Sequence, residues 1–472
     1  MNSRFINILR SFSYALSSNL ISLLVSILVI IIVPKLIGVE EYGYWQLYLF
    51  YASYVGFMHF GWNDGIYLRY GGEVYGKLNK ELFFSQFHML SFMQVALGIL
   101  ISIATLVFIN DQDRKFILLM VALCMIITNV RWMLIYVLQA TNRIKEYAQI
   151  TIIGRILYIL IIVALLVSGF RDYKLMIIAD IIGRLISFAY AIYICKDIVF
   201  RKASTFYFSF KETIENISVG IKLMFATIAS MLIIGVVRFG IERFWDISVF
   251  GKVSLTLSAS NLLMLFINAV GIIIFPILKR TQSKNLAGIY ITMRDFLMLI
   301  LLGLLIIYYP VKELLSIWLP KYADSLTYMA LLFPICIFEG KMALLINTYL
   351  KTLRKEALML KINLISLGVS IISTLLLAAL IHDLNLLIVS IVFLLGFRCI
   401  LAEILLTRHI NISVLKDIAL EITMTVAFVL TGWFIDSGWT VMLYGSAYIL
   451  YILIKRKDIF TAIGKIRTLM KS

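Results

Sequence analysis

The 472-residue sequence predicts an all-α polytopic membrane protein of about 14 transmembrane helices: two six-helix lobes related by an axis along the membrane normal, plus two C-terminal helices. Three observations predict it. Hydrophobic residues make up 62% of the chain against 15% charged, and mean hydropathy is +0.98, far outside soluble usage. Apolar stretches of about 20 residues, enough to cross ~30 Å of hydrocarbon as a helix, recur along the whole chain. Short strings also recur in the same order at offsets of 208 to 211 residues.

The spans fall at 12–33, 44–62, 83–109, 116–138, 147–168, 175–195, 216–240, 249–277, 293–310, 325–349, 358–380, 386–407, 414–435 and 438–454. The first is read as a retained span and not a cleaved signal peptide, because its apolar run is long and leads through Pro34 into a second hydrophobic segment. The second carries Tyr42, Trp45, Tyr54 and Trp62 toward its two ends, as interfacial aromatic belts do. Pro334, inside the tenth, frees a backbone carbonyl and kinks that helix. Cys124, Cys195, Cys336 and Cys399 are far apart without a CxxC or Cys/His spacing, so they read as small apolar fillers and no metal site is suggested.

The net charge of +17 would point to nucleic acid in a soluble chain. Here it orients the protein. Of 43 Lys and Arg, 27 fall in alternate loops on the side of the N-terminus, 9 on the other side and 7 within the spans. The positive-inside rule then puts both termini in the cytoplasm. Arg294 is counted with the cytoplasmic loop before the ninth span. The final KRKDIFTAIGKIRTLMKS reads as a basic amphipathic tail on the anionic inner leaflet. No outer loop has room for a soluble catalytic domain.

The repeat pairs Tyr42-Gly43 with Phe250-Gly251, and Thr141 to Glu146 with Thr352 to Glu356. It divides the chain into an N-lobe (1–210), a C-lobe (211–410) and the last two helices with the tail (411–472). Parallel lobes of this kind place a substrate site between them near the midplane.

The seven cations within the spans are Arg131, Arg155, Arg184, Lys222, Arg238, Lys341 and Arg398. A charge at the bilayer centre costs about 2.5–3.5 kcal/mol on insertion scales, so each faces a wet cavity, a partner or an interface. Arg131, Lys222 and Arg238 lie close enough to span ends to snorkel. Arg155, Arg184 and Arg398 are deeper and are the stronger cavity candidates, with Lys341 beside them. Asp180 and Arg184 stand at i,i+4 on one face, and Glu339 lies two residues from Lys341, so pairing or ion coupling is expected of Asp180 and Glu339. The remaining net positive cavity suits an anionic substrate. Ser and Asn line faces of the first and eighth spans, where most glue helices together. Asn19 and Asn261 are the candidates there for lining the cavity. No catalytic constellation, Walker loop or cofactor motif occurs, so an enzyme is not expected and no cofactor is implied.

KLIGVEEYG (Lys35 to Gly43), FGWNDGIYLRYGGE (Phe60 to Glu73) and LQATNRIKEYA (Leu138 to Ala148) resemble stretches of bacterial polysaccharide flippases of the multidrug/oligosaccharidyl-lipid/polysaccharide exporter superfamily. Lys35 and Val39 depart from the Arg and Pro usual there. The resemblance implies a translocase for O-antigen, capsule or exopolysaccharide repeat units in the cytoplasmic (inner) membrane of a bacterium. It would carry an undecaprenyl-pyrophosphate-linked oligosaccharide to the outer leaflet by alternating access. Membrane lipids, a polysaccharide polymerase and glycosyltransferases are the partners to expect, and nucleic acid is not. A peptidoglycan-precursor lipid flippase and a drug/cation antiporter are the alternatives within the superfamily.

Overall fold

Fourteen apolar stretches become helices, and where they break is what shapes the site. The computed structural model describes residues 3–280, 286–435 and 438–461. The basic tail beyond residue 461 lies outside the described residues. Contacts divide the chain into two compact units, Met1–Ile228 and Ala229–Ser472.

The first unit holds α1 (Ser3–Leu36), α2 (Val39–Ala52), α3 (Trp62–Arg69), α4 (Lys80–Phe108), α5 (Gln112–Ala140), α6 (Ile144–Val167), α7 (Tyr173–Ile194) and the short α8 (Lys196–Val199). The unit boundary falls inside α9 (Phe210–Phe244), whose start is where the sequence places the second lobe. The second unit continues with α10 (Ile247–Arg280), α11 (Leu286–Leu304), α12 (Tyr308–Trp318), α13 (Ala323–Leu326), α14 (Met329–Leu332), α15 (Ile335–Lys341) and α16 (Asn347–Thr352). It ends with α17 (Glu356–Thr374), α18 (Leu384–His409), α19 (Leu415–Phe434) and α20 (Thr440–Ile454). Among the described residues, eleven helices are long and apolar enough to cross a membrane. Each of the fourteen predicted spans coincides with a helix or a broken helix.

Local chemistry sets the ends. Asn79, Asp111, Asp172 and Asp383 each cap the helix that follows by accepting from its first free backbone N–H groups. The second span breaks at Phe60 and Gly61, both with positive φ (52° and 84°), which separates α2 from α3. The tenth breaks at Pro334, which starts α15, and loosens again into a π-helical turn over Met342–Ile346. The internal repeat reappears in backbone geometry. Asn142 and Arg354 both have positive φ, and the next residues, Arg143 and Lys355, each donate at 2.8 Å to the carbonyl five residues back, Leu138 and Leu350.

Side-chain burial corrects one expectation. Tyr42 and Trp45 are fully buried in the first unit, and Trp62 is 3% exposed with its indole N–H donating to Gln86. These rings are core and not interfacial belt, because α2 is covered by α5 and α7, and α3 by α5. The four cysteines are buried free thiols.

Candidate functional site

Three of the seven predicted intramembrane cations meet in one place. Arg131 of α5, Arg155 of α6 and Arg184 of α7 line a cavity of about 290 Å³ in the first unit, with Asp180, Tyr136, Tyr147 and Tyr158 around them.

Close approach of α6 to α7 builds this cavity. A Cβ on Gly154 would sit 2.9 Å from the Ser187 Cβ, and one on Gly183 would sit 3.1 Å from the Gly154 carbonyl oxygen. Only glycine lets the two backbones pack so tightly. Ser187 then donates its hydroxyl to the Ile150 carbonyl at 2.9 Å and accepts from Arg131 Nη1 at 3.0 Å. Two turns earlier on α7, Asp180 Oδ2 accepts from Arg184 Nε and from the Tyr48 hydroxyl, both at 2.6 Å. Arg184 Nη1 donates to Thr128 at 3.1 Å. The i,i+4 pair of Asp180 and Arg184 expected from the sequence is therefore present.

Much cationic capacity is left over. Arg155 is exposed to the cavity and makes no hydrogen bond or ion pair with any described residue. Arg131 Nε is buried without a hydrogen-bond partner. Three guanidiniums face one carboxylate, so the lining is doubly positive. Guanidinium forks and phenolic hydroxyls are the donors that hold phosphate-like anions.

The other predicted residues lie elsewhere. Lys222 is exposed on α9, and Asn19 and Asn261 are exposed on α1 and α10; none lines this cavity. Arg238 donates to Ser254 at 3.0 Å and lies over the Phe250 ring. Arg398 is 3% exposed, its Nε donating to Asn363 at 3.0 Å and its Nη1 to Glu339 at 2.8 Å. Lys341 is 2% exposed and donates to Glu403 and, at 2.7 Å, to Glu421. Glu339 thus pairs with Arg398 and not with Lys341, because residues two apart on a helix point to opposite sides. Arg294 is corrected as well: it is buried inside α11, bonded to Glu403 at 2.8 Å, and not in a loop. Two larger cavities of about 520 Å³ lie in the second unit, and none of the seven cations lines either.

Fold and site together define a multi-pass α-helical membrane protein with a cationic, tyrosine-lined cavity. No protein-family model matches the chain, and no curated protein matches it. Solved structures do match in fold. One is a lipid II flippase, MurJ, in an inward closed conformation, with a TM-score of 0.66 and 13% identity over 96% of this chain and all of that one. Another is a multidrug resistance MATE family transporter of the MOP superfamily in an inward-facing conformation, with a TM-score of 0.61 and 10% identity over 82% of this chain and 96% of that one. At such identities the likeness is one of fold.

Proposed function

We propose that this protein translocates an anionic lipid-linked oligosaccharide, of the undecaprenyl-pyrophosphate class, from the inner to the outer leaflet of the bacterial cytoplasmic membrane by alternating access. The observation that carries the reading is the surplus of two positive charges in the cavity of α5, α6 and α7, where Arg155 makes no hydrogen bond or ion pair with any described residue. A pyrophosphate bearing about two negative charges neutralises that surplus, and charge-assisted hydrogen bonds from arginine hold it. The tyrosines supply hydroxyls beside it, and the polyprenyl tail remains among lipids. The fold shared with a lipid II flippase and the stretches resembling polysaccharide flippases both support a lipid-linked cargo.

The test is export. Replacing Arg155 by Ala and Arg184 by Lys, which keeps a cation beside Asp180, sharply lowers appearance of repeat units at the cell surface while protein level holds, and lipid-linked oligosaccharide accumulates on the inner leaflet. Normal export in that double variant overturns the reading. A peptidoglycan-precursor lipid is the second reading, favoured by the fold similarity to MurJ. Deletion separates the two: loss of surface polysaccharide with intact walls supports the first, and lysis the second.

A further inference from the structure

The second unit buries a charge cluster of its own. Arg294 and Asp295 come from α11, Lys341 from α15, Glu403 from α18, Asp417 and Glu421 from α19, and Lys455 follows α20. Each glutamate touches both inner cations. Arg294 Nε donates to Glu403 Oε1 at 2.8 Å, and its Nη2 lies 2.6 Å from Glu421 Oε1. Lys341 Nζ donates to Glu403 Oε2 and, at 2.7 Å, to Glu421 Oε2. Toward the end of α20, Lys455 Nζ sits 2.7 Å from Asp417 and 3.1 Å from Asp295, while Arg294 Nη1 is 3.5 Å from Asp417.

The charges do not balance. Among the described residues, four carboxylates (Asp295, Glu403, Asp417, Glu421) face three cations (Arg294, Lys341, Lys455). Of the other cations on these elements, Arg398 of α18 is committed to Glu339 and Asn363, while Arg408, His409 and Lys416 are exposed; the remaining titratable groups beside the cluster supply no positive charge. They are Tyr290 of α11, which donates to Glu403 at 3.0 Å, Cys399 of α18, Tyr451 of α20, and the largely exposed Asp458 beside Lys455. Asp417 is 26% exposed, but an uncompensated charge on the inner carboxylates is costly: Glu403 is 0%, Asp295 3% and Glu421 6% exposed.

We propose that this cluster is a proton-binding site that holds one proton among its carboxylates at neutral pH. Glu421 takes it first. Glu403 accepts from Tyr290, Arg294 and Lys341, whereas Glu421 accepts an aligned donor only from Lys341, and its Oε1 has none. The carboxylates titrate as a coupled set and not as separate groups. Because the cluster ties α11, α15, α18 and α19 to the segment after α20, proton occupancy sets how firmly the last two helices are held.

Thermal unfolding of the full chain in detergent, read between pH 5 and 9, tests this without any transport assay. A carboxyl whose folded-state pKa is raised contributes stability at low pH that is lost as pH rises through that pKa. The wild-type midpoint therefore falls with rising pH. Glu421→Gln leaves three charges against three, keeps the acceptor for Lys341, and abolishes that fall, so its midpoint at pH 9 equals or exceeds the wild type's. Asp295→Asn repeats the test from the other end of the cluster. Lys341→Met, which leaves two cations against four acids, lowers the midpoint by on the order of 5–10 °C. Both acid-to-amide variants losing as much stability as Lys341→Met, with the wild-type pH profile unchanged, overturns the proposal.

Discussion

The Tyr48 hydroxyl donates to Asp180 Oδ2 at 2.6 Å, the same oxygen that receives Arg184 Nε at 2.6 Å. A residue of α2 thereby fixes the counter-ion of a cavity built by α5, α6 and α7. Tyr48→Phe removes one hydrogen bond to a charged acceptor and costs roughly 1.5–3 kcal/mol of stability. Asp180→Asn costs more, since Arg184 loses its buried counter-ion. Unfolding midpoints of the two variants in detergent check the order; a Tyr48→Phe change larger than that of Asp180→Asn contradicts it.

Arg155 separates binding from folding. Having no described partner, it is replaceable by Ala without loss of expression or thermal stability, while export of the lipid-linked cargo drops by roughly tenfold or more. Arg155→Lys retains part of the activity, because a point charge still attracts phosphate but lacks the planar fork. Equal export by wild type and Arg155→Ala would remove this residue from the site.

Helix packing in the first unit rests on glycine at α3 and α9. A Cβ on Gly65 would lie 1.9 Å from the Asn216 carbonyl oxygen, and one on Gly220 would lie 2.0 Å from that of Gly61. Arg69 secures the same crossing through Glu212 at 2.5 Å and Glu215 at 2.7 Å. Gly65→Ala and Gly220→Ala therefore abolish folded protein, because backbone atoms cannot yield as side chains do. Gly445→Ala on α20, with nothing within 4 Å, is neutral or stabilising by up to about 1 kcal/mol. Size-exclusion profiles of the three variants decide it.

Outside the membrane, Asp197 of α8 joins two loops. It accepts from the Tyr75 hydroxyl at 2.7 Å and pairs with Lys80 at 3.0 Å, while Lys80 Nζ sits 3.2 Å from the Tyr75 ring centre. Partial burial pushes the Asp197 carboxyl up, but the Tyr75 and Lys80 hydrogen bonds outweigh it and leave its pKa below the ordinary value. A depressed carboxyl contributes stability that is present above its unfolded pKa, about 4, and lost as pH falls through the folded one. The wild-type unfolding midpoint accordingly drops more steeply than that of Asp197→Asn between pH 5 and 3. Superimposable profiles would show that Asp197 carries no such linkage.

Much of the architecture was legible because hydropathy is a local property. All fourteen spans correspond to helices, the Asp180–Arg184 pair follows from helical spacing alone, and the repeated turns at Asn142 and Arg354 lie in the strings that match in sequence. Arg294 shows where locality fails. It stands near the start of a long apolar stretch, so a hydropathy reading trims it into the loop, yet α11 begins at Leu286 and buries it against Glu403, 109 residues away. Lys341 reads like Arg155 along the chain, but one is neutralised by two glutamates from other helices and the other faces a cavity with no ion pair to any described residue.

By itself the sequence determined that this chain is a multi-pass α-helical membrane protein, where its apolar helices lie to within several residues, and that at least seven cations sit where lipid would reject them. Only the tertiary structure decided what those cations do. Partners for a buried charge come from helices distant in sequence, and the energy of a charge depends on which opposite charges lie within a few ångströms. Packing of α5, α6 and α7 through Gly154 and Gly183 gathered three arginines about one carboxylate, while packing of α11, α15, α18 and α19 surrounded two cations with acids.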